Sequence, residues 1–431
     1  MYRKITAFLE AWKKNQYRKP LVLQGARQVG KTYSVLEFGH INYENVAYFN
    51  FETNPKLNRT FEENISPDYL IPILSHISGQ TIVKEKTLII FDEVQLCERA
   101  LTSLKYFCED APDYHIIVAG SLLGVAVNRA KFSFPVGKVD MKTMYPMDME
   151  EFMIAMGEEK LAAQVRQCFE TNTAMPSALH DAAMQLYRQY LVVGGMPECV
   201  LQFAQTKDYI LIRNTQDTIL ASYLNDMSKY NNLNEIKKTR LAYDNITVQL
   251  SKKNTRFQYK LIKKGGRASE FENAIEWLCL SGIVSQVYRI EQIKKPLENY
   301  RDIDAFKIYV SDLGLLCAKK DLSANDILYM VEELNDFKGG MAENYVNVQL
   351  SINGYRTYYW ESARGAEIDF VIQRNGQLIP IEVKSADNTR AKSLKVYMET
   401  YNPEYAIKLS AKNFAFEDNK KTVPLYAAFC I

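Results

Sequence analysis

One stretch near the N-terminus restricts the fold more than any other. Gly25-Ala26-Arg27-Gln28-Val29-Gly30-Lys31-Thr32 fits the pattern G-x-x-x-x-G-K-[S/T]. Its surroundings are the ones this pattern needs, because an apolar run, LVLQ, precedes it and a helix-forming run, TYSVLEF, follows. A strand that turns through glycines into a helix aims a set of backbone N–H groups, together with the positive end of the helix, at one point. That point suits phosphate oxygens. Lys31 is then placed to reach the β- and γ-phosphates of a nucleoside triphosphate, and the Thr32 hydroxyl to ligate Mg²⁺. Arg27 is a further charge beside the phosphates, or else a member of a structural ion pair.

A second motif completes the first. Leu88-Ile89-Ile90-Phe91-Asp92-Glu93 reads as a central strand whose carboxyl end puts Asp92 beside the metal, with Glu93 next to it to polarise an attacking water. A further strand, IIVAG, ends at Ser121, which either touches the γ-phosphate or the water, or serves as a turn or helix N-cap. The runs at 20–25, 46–52, 87–93 and 115–121 are near-continuously apolar and separated by helix-length segments. They predict a parallel sheet covered by helices on both faces, in a domain spanning 1–150.

The rest of the chain changes character. Residues 151–235 have helical periodicity, broken by Gly194-Gly195 and Pro197. Residues 236–320 run from helical patterns through a basic turn into two strand-like runs, VSQVYRI and FKIYV, which suits a winged helix. Residues 338–431 read as a second α/β unit of helix, strands, helix and strands, with VPLYAAF as its last strand, and 321–337 is an uncertain boundary. Charge is uneven. The chain carries +2 overall, but Lys237 to Arg267 alone carries +9, so the remainder is −7. A basic island on an acidic body suits a polyanion, DNA first. Lys252, Lys253, Arg256, Lys260, Lys263, Lys264 and Arg267 are the candidate phosphate contacts, with Phe257 and Tyr259 read as core. A solvated face or a protein-docking face is the plainer alternative.

Composition narrows the class. A chain of 431 residues with 47% hydrophobic and 24% charged residues is an ordinary folded one, of about three domains by length. No uncharged apolar run approaches the roughly 18 residues of a membrane span. The N-terminal segment has no signal-type core, so a cytoplasmic protein without membrane association is expected. Seven scattered cysteines and four histidines, with no CxxC pair, argue against structural zinc or a disulfide framework.

The runs RKPLVLQGARQVGKT, LIIFDEVQ, AGSLLG, YPMDMEEF, YLVVGGMPE, KIYVSDLGLL, AENYV and EIDFVI…PIEVKS resemble the predicted ATPases of the AAA+ superfamily that carry the C-terminal domain of unknown function DUF4143. The resemblance covers nearly the whole chain. It implies ATP and Mg²⁺ as ligands, ATP hydrolysis, and a homo-oligomer, or a partner, that supplies an arginine finger to the nucleotide. One departure bears on that finger: Lys138 follows Gly137 where such proteins usually have Gly-Arg. Lysine lacks the bidentate fork of arginine, and Arg129 is the substitute candidate.

The C-terminal unit offers a second site. Asp369 lies in EIDFVI, and Glu382 and Lys384 lie on PIEVK, two residues apart and so on one strand face. If the two strands pair through the turn 374–377, Asp369 joins them, and Glu343 comes from the preceding helix. Such a set resembles the D…E-x-K core of the PD-(D/E)xK nuclease fold. There Glu343, Asp369 and Glu382 would hold Mg²⁺ while Lys384 activates water for phosphodiester cleavage. The alternative is a salt-bridged remnant. The expected fold class is thus a multidomain α/β chain: a P-loop parallel sheet, a helical and winged-helix middle, and a nuclease-like end. The expected function is an ATP-driven protein acting on DNA, and the alternative is an ATP-dependent switch for a protein partner.

Overall fold

A computed structural model describes residues 1–121, 123–125, 134–229, 233–250, 256–385 and 392–431. Arg129, Lys252 and Lys253 lie outside the described residues. The chain divides into two compact units, one of residues 3–145 with 280–282, the other of 1–2, 146–279 and 283–431.

The first unit is built on five strands: β1 (Leu21–Gln24), β2 (Asn45–Asn50), β3 (Thr87–Asp92), β4 (His115–Gly120) and β5 (Asp140–Thr143). They lie in the order β2-β3-β4-β1-β5, and every pairing is parallel. All six residues of β3 and of β4 are buried, as helix cover on both faces requires. Phe49, Phe51, Phe61 and Phe91 pack ring to ring in the core, with centroids 5.6–5.9 Å apart. β5, read DMKT, is a polar, half-exposed edge strand with no apolar signal to reveal it. Because β4 lies between β3 and β1, the carboxyl ends of these three strands adjoin. The P-loop motif, Asp92-Glu93 and Ser121 all sit there.

The second unit opens with helices, among them Met149–Ala155, Ser177–Val193, Pro197–Thr206, Tyr209–Lys229, Leu233–Gln249 and Ala268–Leu280. An eight-stranded sheet follows, made of β6 (Val284–Ile290), β7 (Arg301–Val310), β8 (Tyr358–Glu361), β9 (Glu367–Arg374), β10 (Gln377–Val383), β11 (Ala406–Ser410), β12 (Ala415–Glu417) and β13 (Lys420–Pro424). Their order is β12-β13-β11-β10-β9-β8-β6-β7.

In this order, strands from 236–320 and from 338–431 share one sheet. The β6–β7 hairpin is the edge of the C-terminal sheet, because β6 pairs in parallel with β8. The last strand also ends early. After Pro424 the chain enters a 3₁₀ turn over Leu425–Cys430 whose six residues are all buried. A run apolar on every side does not need the two-face alternation of a strand.

Three of the motifs singled out in the sequence meet in this unit. At the end of helix Ser177–Val193, Gly195 N donates to Asp312 Oδ2 at 2.6 Å, and Met147 N donates to Gly195 O at 2.6 Å. Asp312 also caps the helix Leu313–Lys319 by accepting from Leu315 N at 2.8 Å.

Candidate functional sites

The phosphate-binding loop is shaped by its backbone. Gly25 has φ +148°, and a Cβ there would lie 2.1 Å from Met144 O. Gln28 and Gly30 also have positive φ, 66° and 90°, and Gly30 caps the helix Lys31–Asn42. Ala26 and Val29 are buried, Gln28 is exposed and Arg27 half-buried. Arg3, which no motif marks, braces the loop. Its guanidinium donates to Val29 O at 2.9 Å and to Tyr145 O at 2.8 Å.

Lys31 Nζ donates to Gly25 O at 2.9 Å and Ala26 O at 2.8 Å, so its ammonium is held within the loop. Thr32 Oγ1 donates to Asp92 Oδ2 at 3.0 Å, although sixty residues separate them. A hydroxyl and a carboxylate at this distance are hard oxygen donors of the kind Mg²⁺ takes. Asp92 is itself positioned. Tyr48 OH donates to Oδ2 at 2.7 Å and Glu93 N to Oδ1 at 3.0 Å. Burial, above all, pushes the Tyr48 phenol up to about 12, so it stays a donor at neutral pH.

Glu93 follows Asp92 in a left-handed backbone conformation, φ 51°. Its carboxylate accepts a hydrogen bond from Gln95 Nε2. The other end of that carboxamide lies against β4, where a Cβ on Gly120 would be 2.1 Å from Gln95 Oε1. Ser121, 6% exposed, is the next residue. Lys31, Thr32, Asp92, Glu93 and Ser121 thus occupy three adjoining strand ends. Tyr48 and Gln95 are additions to the expected site residues, since each acts through a carboxylate, Tyr48 on Asp92 and Gln95 on Glu93. The Gln95–Glu93 hydrogen bond holds the Glu93 carboxylate, so Gln95→Ala is expected to alter ATP turnover while nucleotide affinity stays within about threefold, as parallel turnover and binding titrations would read.

Lys138, the candidate finger, pairs with Glu109 of its own chain at 2.8 Å. In the basic segment, Arg256, Lys260, Lys263, Lys264 and Arg267 are exposed. Lys263 pairs with Glu270 at 3.1 Å. Phe257 is buried and stacks on Phe306 with centroids 5.6 Å apart, as a core residue does, whereas Tyr259, expected as core, meets both rings edge-on but is only half-buried.

At the C-terminal end, β9 and β10 pair through a turn carrying Asn375 and Gly376, both at positive φ, the two-residue hairpin that Asn-Gly favours. Asp369, Glu382 and Lys384 lie near one another at the ends of these strands. Asp369 Oδ2 accepts from Val383 N at 2.7 Å, and Lys384 pairs with Glu382. Glu343 joins from the helix Asn335–Ile352. Three residues outside the expected set enter as well. Lys307 on β7 lies 3.3 Å from Glu343 and 2.5 Å from Glu367, and Tyr309 OH donates to Glu343 at 2.9 Å. Burial opposes the Lys307 ammonium, but Glu343, Tyr309, Glu367 and Asp369 outweigh it and hold the pKa well above the usual lysine value. Burial first, then Glu343, raises the Asp369 carboxyl well above the usual range, against the pull of Lys307. Among the described residues, no three His, Cys, Asp or Glu side chains form a group able to hold a metal ion. Of Glu343, Asp369 and Glu382, the set expected to hold Mg²⁺, Glu343 pairs with Lys307 and Glu382 with Lys384.

Residues 17–153 match the family model of an AAA domain, residues 184–326 a domain of unknown function, DUF8612, and residues 338–428 a second domain of unknown function, DUF4143. No curated protein matches significantly. Among solved structures, a Walker-type ATPase of Pyrococcus abyssi is 14% identical, covering 73% of this chain and 94% of its own, with a TM-score of 0.44. The Aeropyrum pernix ORC2 protein, solved in ADPNP–ADP complexes, is 10% identical, covering 79% and 95%, with a TM-score of 0.37. The RuvB Holliday junction branch migration motor of Thermotoga maritima is 13% identical, covering 65% and 87%, with a TM-score of 0.29. Among the described residues, no helix is long and apolar enough to cross a membrane.

Proposed function

We propose that this chain, a P-loop ATPase of the AAA type carrying a DUF4143 domain, binds and hydrolyses ATP and couples that cycle to DNA. The observation that carries the ATP half is the convergence of Lys31, Thr32, Asp92 and Glu93 at adjoining strand ends, with Thr32 and Asp92 already 3.0 Å apart. The loop amides of residues 25–32 cradle the phosphates, Lys31 neutralises their charge, and Thr32 and Asp92 hold Mg²⁺. The metal, when bound, offsets charge on the β- and γ-phosphate oxygens. Glu93 orients and deprotonates the attacking water, and Ser121 borders the γ-phosphate. In an oligomer, Lys138 would have to leave Glu109 to act on a neighbour's nucleotide.

Support for the DNA half is the exposed group Arg256, Lys260, Lys263, Lys264 and Arg267. If these five contact phosphates, raising salt from about 50 to 200 mM weakens duplex binding roughly 500-fold. Lys263→Gln with Lys264→Gln should reduce the log–log salt slope by about 2. ATP turnover is the test, measured with and without duplex and branched DNA. Stimulation lost at high salt supports the coupling, whereas turnover indifferent to every DNA overturns it. The lysine-bound state of the C-terminal carboxylates favours a second reading, a switch for a protein partner with an inert nuclease-like end.

A further inference from the structure

A D…E-x-K set implies a divalent cation, and the residues here do not fit one. Mg²⁺ takes about six oxygen ligands in a near-octahedral array. One oxygen of each carboxylate that would supply them is already engaged. Asp369 Oδ2 accepts from Val383 N, Glu343 Oε2 accepts from Tyr309 OH and from Lys307, and Glu382 Oε1 is held by Lys384. One oxygen of the cluster, Glu382 Oε2, is buried without a hydrogen-bond partner. Among the described residues no three His, Cys, Asp or Glu side chains are grouped so that they could hold such an ion.

One side of the cluster, at Glu343 and Glu367, is taken by an ammonium. Lys307 is 1% exposed and reaches Glu343 and Glu367, with its Nζ 5.2 Å from the centroid of the Tyr359 ring. It comes from the β6–β7 hairpin, outside the segment that carries the D…E-x-K residues, and its burial in the sheet keeps it from swinging aside. Two lysines against Glu343, Glu367, Asp369 and Glu382 leave the cluster two charges short of neutrality.

We infer that the Lys307 ammonium stands where a divalent cation would otherwise be recruited, so that the C-terminal cluster is a metal-independent charge network and does not cleave phosphodiesters. This inference does not rest on the ATP reading, and its test uses nucleotide-free, full-length protein. Mn²⁺ is titrated and followed by the paramagnetic resonance of the free ion and by thermal unfolding.

Wild-type protein is expected to show no Mn²⁺ site that Glu343→Gln or Asp369→Asn removes, a Tm unmoved by millimolar Mn²⁺, and no nicking of plasmid DNA with Mg²⁺ or Mn²⁺. Lys307→Met, similar in length but uncharged, is expected to gain one Mn²⁺ site. Its Tm should rise by about 4 °C or more on saturation, and the gain should vanish in the Lys307→Met/Glu343→Gln double variant. A wild-type Mn²⁺ site that depends on Asp369 or Glu343, or DNA nicking abolished by Asp369→Asn, overturns the inference. So does a folded Lys307→Met that gains no metal. Should Lys307→Met fail to fold, the wild-type titration and nicking assay decide alone.

Discussion

Lys31→Ala is expected to remove Mg²⁺-dependent ATP turnover, by at least about 100-fold, and Glu93→Gln to slow it by a similar factor while leaving nucleotide bound. The two effects have different origins. Lys31 holds its ammonium against Gly25 O and Ala26 O at 2.9 and 2.8 Å, inside the loop where phosphate oxygens would be received. Alanine removes the fixed charge that a triphosphate needs on desolvation, and pre-positioned charges of this kind are each worth about 10²–10³ in rate. Binding and turnover should therefore fall together. Glu93 lies outside the loop, and its change to the isosteric amide removes only the base, a loss of about 10²–10⁴. Phosphate release and a fluorescent-nucleotide titration, run on the same preparations, separate the two. Lys31→Ala turnover within tenfold of wild type would contradict the assignment, and so would a Glu93→Gln protein that no longer binds nucleotide.

The parts of these sites that were legible in the sequence are those whose chemistry is local. Gly25 and Gly30 are read as glycines because the loop needs positive φ within a few residues, and the strand-end carboxylates are read from an unbroken apolar run before Asp92. What escaped was set by partners far along the chain. β6 belongs to the C-terminal sheet because it pairs with β8 about seventy residues later, and no short window contains that register. Lys307 was visible only as one polar residue in FKIYV. Strand alternation places it on one face with Tyr309, but the Glu343 and Glu367 that hold it lie 36 and 60 residues away. Tyr48 was hidden for the same reason, being 44 residues from Asp92, whereas Gln95 lies two residues from Glu93 and was hidden because a carboxamide that positions a neighbour carries no signal of its own. β5 was missed because an edge strand with exposed faces has no need of apolar residues.

Gly195→Ala is expected to prevent folding of the second unit, and the reason joins three motifs that the sequence shows only as separate strings. A Cβ on Gly195 would lie 2.1 Å from Met147 O and 2.8 Å from Met147 N. Both are backbone atoms, so no rotamer relieves the clash, and the two hydrogen bonds of Gly195, from its N to Asp312 and from Met147 N to its carbonyl, forbid a shift. A cost of about 4 kcal/mol or more, at the severe end for a single substitution, is the expectation. It would be read as insoluble expression or as a lost cooperative urea transition at the second unit. Asp312 makes the same junction sensitive to pH. Burial raises its carboxyl from 3.8 to about 6, against three backbone N–H groups that favour the charged form. The folded chain then holds the proton more tightly than the unfolded one. The stabilisation this gives is complete below about pH 4, is lost as pH rises to about 6, and is constant above that. Asp312→Asn should accordingly cost more stability at pH 4 than at pH 7, by up to about 3 kcal/mol. Urea unfolding across that range measures the difference, and an Asp312→Asn penalty independent of pH would refute a buried, proton-holding carboxyl at this node.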